Sequence, residues 1–256
     1  MYRGIHMIVY FSATGNSKYA AQRIAEALGE KTMSIEEGVF DITLEEDEHF
    51  GIVTPTHWWA LPIPVRAFLK KLNLKRSGRH YVFVVSTYGT TPGCSGEETR
   101  RLLKEKGIRL SAAYNIKMPD NWTVTFDLSD PKKVARQNEK AEVNIDRTIA
   151  KILHRKKGNY MNLKTPYAIY PLTDKVFAKV RSTKNLSVED SCIGCGLCAE
   201  KCPVKAIRIK DGKPVWVRDR CALCFRCLHQ CPEFAIQFWN GATKKHGQYT
   251  NPNVKV

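Results

Sequence analysis

The first half of the chain alternates short apolar runs with longer stretches that carry apolar residues at helical spacing. The runs from Ile5 to Phe11 and from His80 to Ser86 are continuous and rich in β-branched and aromatic residues, which is typical of strands buried on both faces of a parallel sheet. Strands are predicted at residues 5–11, 31–35, 49–54, 80–86 and 108–117, and helices at residues 18–28, 64–72, 95–106 and 130–157. This alternation predicts an α/β domain with a doubly wound, five-stranded parallel sheet.

The last predicted helix, the stretch that follows it and an acidic stretch need separate interpretation. The last predicted helix is amphipathic and is followed by Gly158, a residue preferred just beyond a helix C-terminus. Residues 159–186 contain two prolines that interrupt helical periodicity, so we interpret them as a connector with a short helix near residues 173–181. The acidic segment at residues 36–48 is interpreted as a solvated connection.

Eight of the nine cysteines fall in two copies of one pattern, C-x2-C-x2-C-x3-C-P, offset by 29 residues. The first copy holds Cys192, Cys195, Cys198 and Cys202, and the second holds Cys221, Cys224, Cys227 and Cys231. Three closely spaced thiolates can hold three corners of one iron–sulfur cube, while the fourth ligates the other cube. Across residues 187–240 the sequence resembles the bacterial two-cluster ferredoxins. The resemblance implies one [4Fe–4S] cluster on Cys192, Cys195, Cys198 and Cys231, and a second on Cys221, Cys224, Cys227 and Cys202.

Zinc and disulfide bonds are the alternatives for these thiols. A structural zinc site is closed by four nitrogen or sulfur ligands, often as two C-x2-C pairs, whereas a third cysteine follows in both copies here. A disulfide framework is typical of secreted proteins, and the rest of the chain lacks their features. A domain this small buries little apolar surface, so we expect the clusters to act as its core.

The turn after the first predicted strand, Ser12-Ala13-Thr14-Gly15-Asn16-Ser17, is rich in hydroxyl groups and leads into a helix. Backbone N–H groups at a helix N-terminus bind anions, so the turn is a candidate anion site. The chain has neither the Gly-Lys-Ser/Thr of a Walker phosphate loop nor a G-x-G-x-x-G dinucleotide motif. The turn resembles the flavodoxin phosphate loop, T/S-x-T-G-x-T/S, which implies bound FMN. A hydroxyl-rich turn without a ligand is the alternative.

The loops after the third and fourth predicted strands should reach the edge of the sheet at which open α/β sheets bind ligands. By resemblance to flavodoxins, these two loops would sandwich the isoalloxazine ring, with Trp58 or Trp59 and Tyr88 as stacking candidates. Core packing is the alternative for either tryptophan. Besides the phosphate loop, the predicted cofactor contacts are Thr54, Pro55, Thr56, His57, Trp58, Trp59, Thr87, Tyr88, Gly89, Thr90 and Gly93.

The whole chain resembles the fused flavodoxin–ferredoxin proteins of anaerobic bacteria and archaea. The predicted divisions are a flavodoxin-like FMN domain at residues 1–158, the connector at 159–186, a small α+β two-cluster domain at 187–240, and a polar tail over the surface at 241–256. The resemblance implies an electron-transfer protein that passes electrons between FMN and two [4Fe–4S] clusters, and on to or from redox partner proteins. An FMN-dependent reductase of a quinone-like molecule and a redox sensor are the alternatives. No catalytic residue is identified, so whether the protein is an enzyme stays open.

The net charge of the chain and its distribution indicate what kind of partner could bind. The formal charge is +16, and residues 131–186 hold 14 basic against 4 acidic groups. A basic surface can steer a partner with an acidic docking surface, although solvation alone also explains it. No nucleic-acid motif accompanies the charge. We expect a cytoplasmic protein, because cysteines used almost entirely in cluster motifs indicate a reducing compartment. The sequence shows no membrane-spanning run or signal peptide, so we expect no membrane binding, and a homodimer is possible.

Overall fold

The computed structural model describes residues 7–162 and 164–256. Its strands are β1 Met7–Tyr10, β2 Lys31–Ser34, β3 Asp41–Leu44, β4 His49–Pro55, β5 Asn73–Arg76, β6 Tyr81–Tyr88, β7 Ala112–Lys117, β8 Gly158–Asn159, β9 Leu186–Val188, β10 Ile207–Lys210, β11 Lys213–Trp216 and β12 Ile236–Phe238. Its α-helices are α1 Asn16–Leu28, α2 Ile63–Lys71, α3 Ser95–Lys104, α4 Pro131–Leu153, α5 Tyr170–Val180, α6 Leu197–Glu200 and α7 Arg226–His229. The predicted start of the first strand, at residues 5 and 6, lies outside the described residues.

The main sheet confirms the predicted parallel α/β fold. Its strands lie in the order β2-β1-β4-β6-β7-β8, and all neighbouring pairs are parallel. The sheet has six strands and not the predicted five, because Gly158 and Asn159 pair with Ala112 and Ala113 at its edge. A two-residue strand of Gly and Asn has no apolar alternation, so the sequence pattern does not reveal it.

Two apolar cores cover the two faces of this sheet. On one face, α1 and α4 contribute Ile24 and Ile145 to a core that includes Phe83. On the other face, α2 contributes Phe68 and α3 contributes Leu103. With both faces covered, the four central strands are fixed, and their carboxyl ends lie at one edge.

The acidic segment after β2 is not the simple solvated connection that was expected. Its residues Asp41–Leu44 form β3, which pairs in parallel with β5. Ile42 and Leu44 are buried in the same apolar core as Phe68 of α2. In the sequence, apolar and polar residues alternate over only the four residues of β3, among acidic side chains. Such a short pattern cannot be distinguished from a loop.

The cysteine-rich part has two short antiparallel pairs, the hairpin β10-β11 and the pair β9-β12. It is joined to the flavodoxin-like part by a third apolar core. Phe177 of α5 lies there with Phe225 and Phe238, and Trp58 and Trp122 pack against them. The connector therefore packs between the two parts. Among the described residues, no helix is both long and apolar enough to cross a membrane.

Candidate functional site

The hydroxyl-rich turn connects β1 to α1 and has the geometry of an anion cradle. Gly15 precedes the helix with φ of 97°, a conformation that glycine adopts readily, and its N–H donates to Ser12 Oγ at 3.1 Å. The N–H groups of Asn16 and Ser17 lie in the first helical turn, where they have no intrahelical acceptor. Ser17 Oγ lies 2.8 Å from Thr87 Oγ1, which ties the turn to the end of β6. Donors therefore face the edge of the sheet.

A cavity of about 390 Å³ opens at the carboxyl ends of β1, β4, β6 and β7. Most of the predicted cofactor contacts line it: Ser12, Ala13, Thr14, Asn16, Ser17, Pro55, Thr56, His57, Trp58, Trp59, Thr87, Tyr88, Gly89 and Thr90. Gly15, Thr54 and Gly93 are not in the lining. Thr54 is fully buried, and its hydroxyl donates to Pro55 O at 3.0 Å. Gly93 instead supports the Trp59 backbone, because a Cβ on it would lie 1.9 Å from Trp59 O.

The two adjacent tryptophans form a tight turn. His57 and Ala60 exchange two backbone hydrogen bonds at 3.0 Å, and Trp58 and Trp59 both have positive φ, 48° and 61°. Such angles are strained for bulky residues and are common at functional sites. Trp58 stacks on Phe177 and turns inward, whereas Trp59 is 41% exposed. The indole Nε1 of Trp58 and Nδ1 of His57 are buried without a hydrogen-bond partner among the described residues.

Several lining residues were missed by the sequence prediction. Asp120, Asn121 and Trp122 follow β7, the last central strand, so their position at the same edge was a usable signal. Asn121 Nδ2 donates to Thr14 Oγ1 at 2.8 Å, which joins this loop to the anion cradle. From the second half of the chain, Phe177, Leu223, Cys224 and Phe225 complete the lining.

The eight motif cysteines form two rings. Cys192, Cys195, Cys198 and Cys231 line one small cavity, which we call the distal ring. Cys202, Cys221, Cys224 and Cys227 line another, which we call the flavin-facing ring. Each ring takes its fourth cysteine from the other copy of the motif, as the resemblance implied. Among the described residues, no group of three or more His, Cys, Asp or Glu is arranged to hold a single metal ion.

The rings have the chemistry of cluster ligands. Burial raises the pKa of the Cys198 thiol to about 11 and that of Cys224 to about 12, so these thiols resist ionisation unless cations compensate their charge. Backbone N–H groups also point at sulfur: Ala206 N donates to Cys202 Sγ at 3.2 Å and Ala235 N to Cys231 Sγ at 3.3 Å. These bonds occupy equivalent positions in the two copies.

Comparison with known families supports both sites. A family model described as a flavodoxin domain matches residues 7–130, and one described as a 4Fe-4S dicluster domain matches residues 191–236. The chain is a flavodoxin domain fused to a 4Fe-4S dicluster domain. Its cofactors are FMN and two [4Fe–4S] clusters, and its role is FMN and iron–sulfur redox chemistry.

Similarity to solved structures is limited to part of each chain. Rubredoxin oxygen:oxidoreductase from the anaerobe Desulfovibrio gigas matches 57% of this chain at 16% identity, with a TM-score of 0.31. The metal-soaked Flv1 flavodiiron core from Synechocystis matches 57% at 18% identity, with a TM-score of 0.32. This chain spans 36% of each of those two. The Trp repressor binding protein from Bacillus subtilis is covered over 99% of its length, at 11% identity and a TM-score of 0.36. No curated protein matches significantly.

The large cavity of this flavodoxin–dicluster fusion fits FMN. One end offers hydroxyls and helix N–H groups suited to a phosphate, and the other offers tryptophan faces suited to a flat ring. The buried, unpartnered Nε1 of Trp58 is a donor that a polar ring atom could satisfy. The phosphate loop, Trp58 and Trp122 would hold the group.

Cys224 connects the two kinds of site. It lines both the FMN cavity and the cavity of the flavin-facing ring. Phe225, the next residue, stacks on Trp122 with ring centroids 4.9 Å apart. The distal ring is more open, because Cys195 is exposed and Ile193 is 65% exposed. One ring of the fusion therefore borders the flavin cavity and the other borders solvent.

The C-terminal segment is not the surface tail that was expected. Tyr249 and Asn251 are only 5% and 3% exposed. Tyr249 Oη donates to Asn16 Oδ1 at 2.7 Å, and Asn251 N donates to Thr14 O at 2.7 Å. We call residues 248–256 the strap. Its polar composition indicated solvent exposure, but these polar groups are paired with the phosphate loop.

His229 fastens the strap to the dicluster domain. Its Nδ1 accepts from Tyr249 N–H at 3.1 Å, so Nε2 carries the proton and donates to Asn121 O at 2.8 Å. Burial lowers the pKa of His229 to about 4, which keeps it neutral. Burial and the charge of Arg66 likewise lower the pKa of His57 to about 4. Cys94, the ninth cysteine, is buried, and burial raises its pKa to about 11, unlike a reactive thiol.

Proposed function

We propose that this protein carries electrons within one chain, between FMN and the flavin-facing cluster, then to the distal cluster and a partner protein. The main support for the proposal is that Cys224 lines both the FMN cavity and the cavity of the flavin-facing ring. FMN exchanges one or two electrons, whereas each cube exchanges one. The arrangement would therefore join two-electron and one-electron donors and acceptors.

The residues between the cofactor sites support this route. Leu223 and Phe225 line both the FMN cavity and the cavity of the ring, and Trp122, which stacks on Phe225, lines the FMN cavity. These apolar side chains should keep water out of the space between the two sites. Excluding water lowers the reorganisation that accompanies a change of charge and tunes a cluster's potential. The chain's own contribution is to position and shield the two groups, because the redox chemistry belongs to the cofactors.

The distal ring is the proposed point of exchange with a partner. Cys195 and Ile193 reach the surface there. The partner is proposed to be a redox protein with an acidic docking surface, because the chain carries a formal charge of +16. Moderate salt should therefore slow exchange with that partner but leave transfer inside the chain unchanged.

The test is anaerobic flash reduction of the loaded protein, with the flavin and cluster absorbance followed in time. We expect reducing equivalents to equilibrate between the clusters and the flavin at a rate that does not depend on protein concentration. A rate proportional to concentration would contradict transfer within the chain, and would indicate exchange between two copies. Full reduction should take up about four electrons per chain, two for FMN and one for each cube.

The quinone reductase alternative is tested in the same sample. The FMN cavity contains His57 and Asp120, but the low pKa of His57 makes it a poor proton donor near neutral pH. Asp120 already accepts hydrogen bonds from Thr90 Oγ1 and Trp122 N–H. Multiple-turnover reduction of a soluble quinone, faster than reduction of a protein acceptor, would favour the reductase over the carrier.

A further inference from the structure

Arg226 is a buried cation inside the second cysteine motif, between Cys224 and Cys227. It is 8% exposed and begins α7. The equivalent position in the first motif, 29 residues earlier, is Leu197. The two motifs share their cysteine spacing but differ at all seven positions between the four cysteines, and Arg226 is the position at which the second motif has a buried, permanently charged side chain.

The guanidinium of Arg226 joins the two domains. It binds both carboxylate oxygens of Glu36, at 2.8 and 2.6 Å, and donates to Ser12 O at 2.7 Å. A further bond runs to Lys201 O at 2.8 Å, next to Cys202. Ser12 starts the phosphate loop, and Glu36 lies in the turn after β2. One side chain thus contacts the flavodoxin sheet, the FMN site and the flavin-facing ring.

The charge of Arg226 acts on that ring. Arg226 lines the cavity of this ring together with Cys202, Cys224 and Cys227. A charge in a buried site is little screened by solvent or salt, so its field reaches the cluster.

We propose that Arg226 is a positioning residue with two separable effects: its charge raises the reduction potential of the flavin-facing cluster above that of the distal cluster, and its hydrogen bonds hold Ser12 so that the FMN phosphate loop stays fixed against that cluster. The proposal rests on the proposed arrangement of cofactors but not on the direction of electron flow. Reduction adds negative charge to a cube, and a nearby fixed cation stabilises the reduced form more than the oxidised form.

The distal ring has no equivalent buried cation among its described neighbours. Lys213 Nζ donates to Cys192 O at 3.0 Å, but this lysine is exposed and its field is screened. Leu197 provides no charge. The two cubes have the same ligands, so Arg226 should add a difference between their potentials beyond the effect of their unequal exposure to solvent.

The test compares Arg226→Gln, Arg226→Lys and the matched control Leu197→Gln in the loaded protein. Redox titration followed by EPR gives the potential of each cluster, and flavin fluorescence gives the FMN Kd. For Arg226→Gln, we expect the reduced-to-oxidised ratio of the flavin-facing cluster to fall about tenfold at a fixed potential, equivalent to about 59 mV for one electron. The distal cluster should shift much less, and the FMN Kd should rise about fivefold because the Ser12 contact is lost.

The lysine variant separates charge from geometry. Arg226→Lys keeps the charge but cannot form the forked bond to Glu36, so the cluster potential should stay near that of the unmodified protein while FMN binding weakens. Leu197→Gln should leave the flavin-facing potential unchanged. Equal shifts of both clusters in Arg226→Gln, or no shift, would overturn the effect of the charge. An unchanged FMN Kd in both Arg226 variants would overturn the positioning effect.

Glu36→Gln keeps the proposal testable if the Arg226 variants fail to assemble clusters. Glu36 lies in the flavodoxin domain and offsets part of the arginine charge, so its neutralisation should raise the flavin-facing potential. A lowered or unchanged potential would overturn the proposal. Flash reduction of the same variants reports separately on the proposed function: transfer that stays independent of concentration supports it even if the potentials do not shift as expected.

Discussion

The two cysteine motifs have nearly the same backbone and opposite surroundings. Gly194 and Gly196 of the first copy have φ of 69° and 81°, and the equivalent Leu223 and Phe225 of the second copy have φ of 48° and 55°. Glycine adopts this left-handed conformation freely, whereas a residue with a large side chain is strained there by roughly 1–3 kcal/mol. The second copy therefore tolerates strain that the first copy avoids.

The strained backbone of the second copy carries side chains that contact the flavodoxin domain. In the second copy, Phe225 stacks on Trp122, His229 donates to Asn121 O, and Gln230 donates to Ala13 O at 2.8 Å. The equivalents in the first copy are Gly196, Glu200 and Lys201. Ligand spacing therefore makes the two clusters alike, whereas the side chains between the ligands decide which cluster faces the flavin.

The largest effect should come from removing equivalent ligands. We expect Cys224→Ala to abolish flavin-to-cluster transfer in flash reduction, because this residue lines both cavities. Cys195→Ala, 29 residues earlier, should preserve fast reduction of the remaining cluster by the flavin but abolish exchange with a protein acceptor. Equal loss of internal transfer in both variants, with iron and EPR showing one intact cluster, would contradict the assignment of the two rings.

Replacing a shared ligand should affect both clusters. Cys202 and Cys231 each lie in the ring of the other motif, so alanine at either position should perturb the EPR signal or potential of both cubes. Iron analysis and EPR of the purified protein check this. If one cube is lost and the other keeps an unchanged signal and potential, the two rings are not linked in the way the structure indicates.

Deleting the strap tests whether the contacts from the second cysteine motif are enough to hold the phosphate loop in place. Removal of residues 248–256 eliminates the bonds from Tyr249 and Asn251 to Asn16 and Thr14. At about 1 kcal/mol for each of three hydrogen bonds, the FMN Kd should rise about 100-fold. Fluorescence titration gives the Kd. Tyr249→Phe is the milder control, with about a fivefold rise, and an unchanged Kd in both would show that the strap is not needed.

Low pH should weaken the contacts of His229 with Asn121 and Tyr249, which have no equivalent in the first cysteine motif. The folded pKa of His229 is about 4, below its ordinary value near 6.5, so neutral His229 contributes stability above pH 6.5 that is lost as pH falls toward 4. The contribution is at most about 3 kcal/mol, and negative clusters reduce it by favouring the protonated form. His229→Gln should flatten the pH dependence of the unfolding midpoint over this window. A curve parallel to that of the unmodified protein would contradict this role.

Exchanging the residues at equivalent left-handed positions should have the smallest effects. Phe225→Gly relieves backbone strain but removes an aromatic ring from the shared core, so we expect a net loss of about 2 kcal/mol. Gly196→Ala should cost about 1 kcal/mol through backbone strain alone, because the nearest atom to a new Cβ is 3.9 Å away. Denaturant midpoints of the loaded proteins measure both. A stabilised Phe225→Gly would show that Phe225 does not join the domains.

Much of the FMN site could be predicted from the sequence because its residues follow successive strands. In a parallel sheet those loops must meet at one edge, so Ser12, Trp58 and Tyr88 could be placed together without coordinates. Thr54 and Gly93 fell in the same loops but do not line the cavity, because the Thr54 hydroxyl donates to Pro55 O and Gly93 lies against the Trp59 backbone. The strap was missed because polar residues that pair with a buried loop have the same composition as polar residues in water.

The two cysteine rings, the parallel sheet and the hydroxyl-rich turn could be predicted from the amino-acid sequence, because each depends on local spacing or on period. Which ring borders the flavin cavity could not be predicted and is visible only in the folded protein. That choice depends on Leu223, Phe225 and Arg226 meeting Trp122, Ser12 and Glu36, residues about 100 to 200 positions away in the chain. Contacts over such separations leave no periodic signal in the sequence, since they arise when two independently patterned domains pack together.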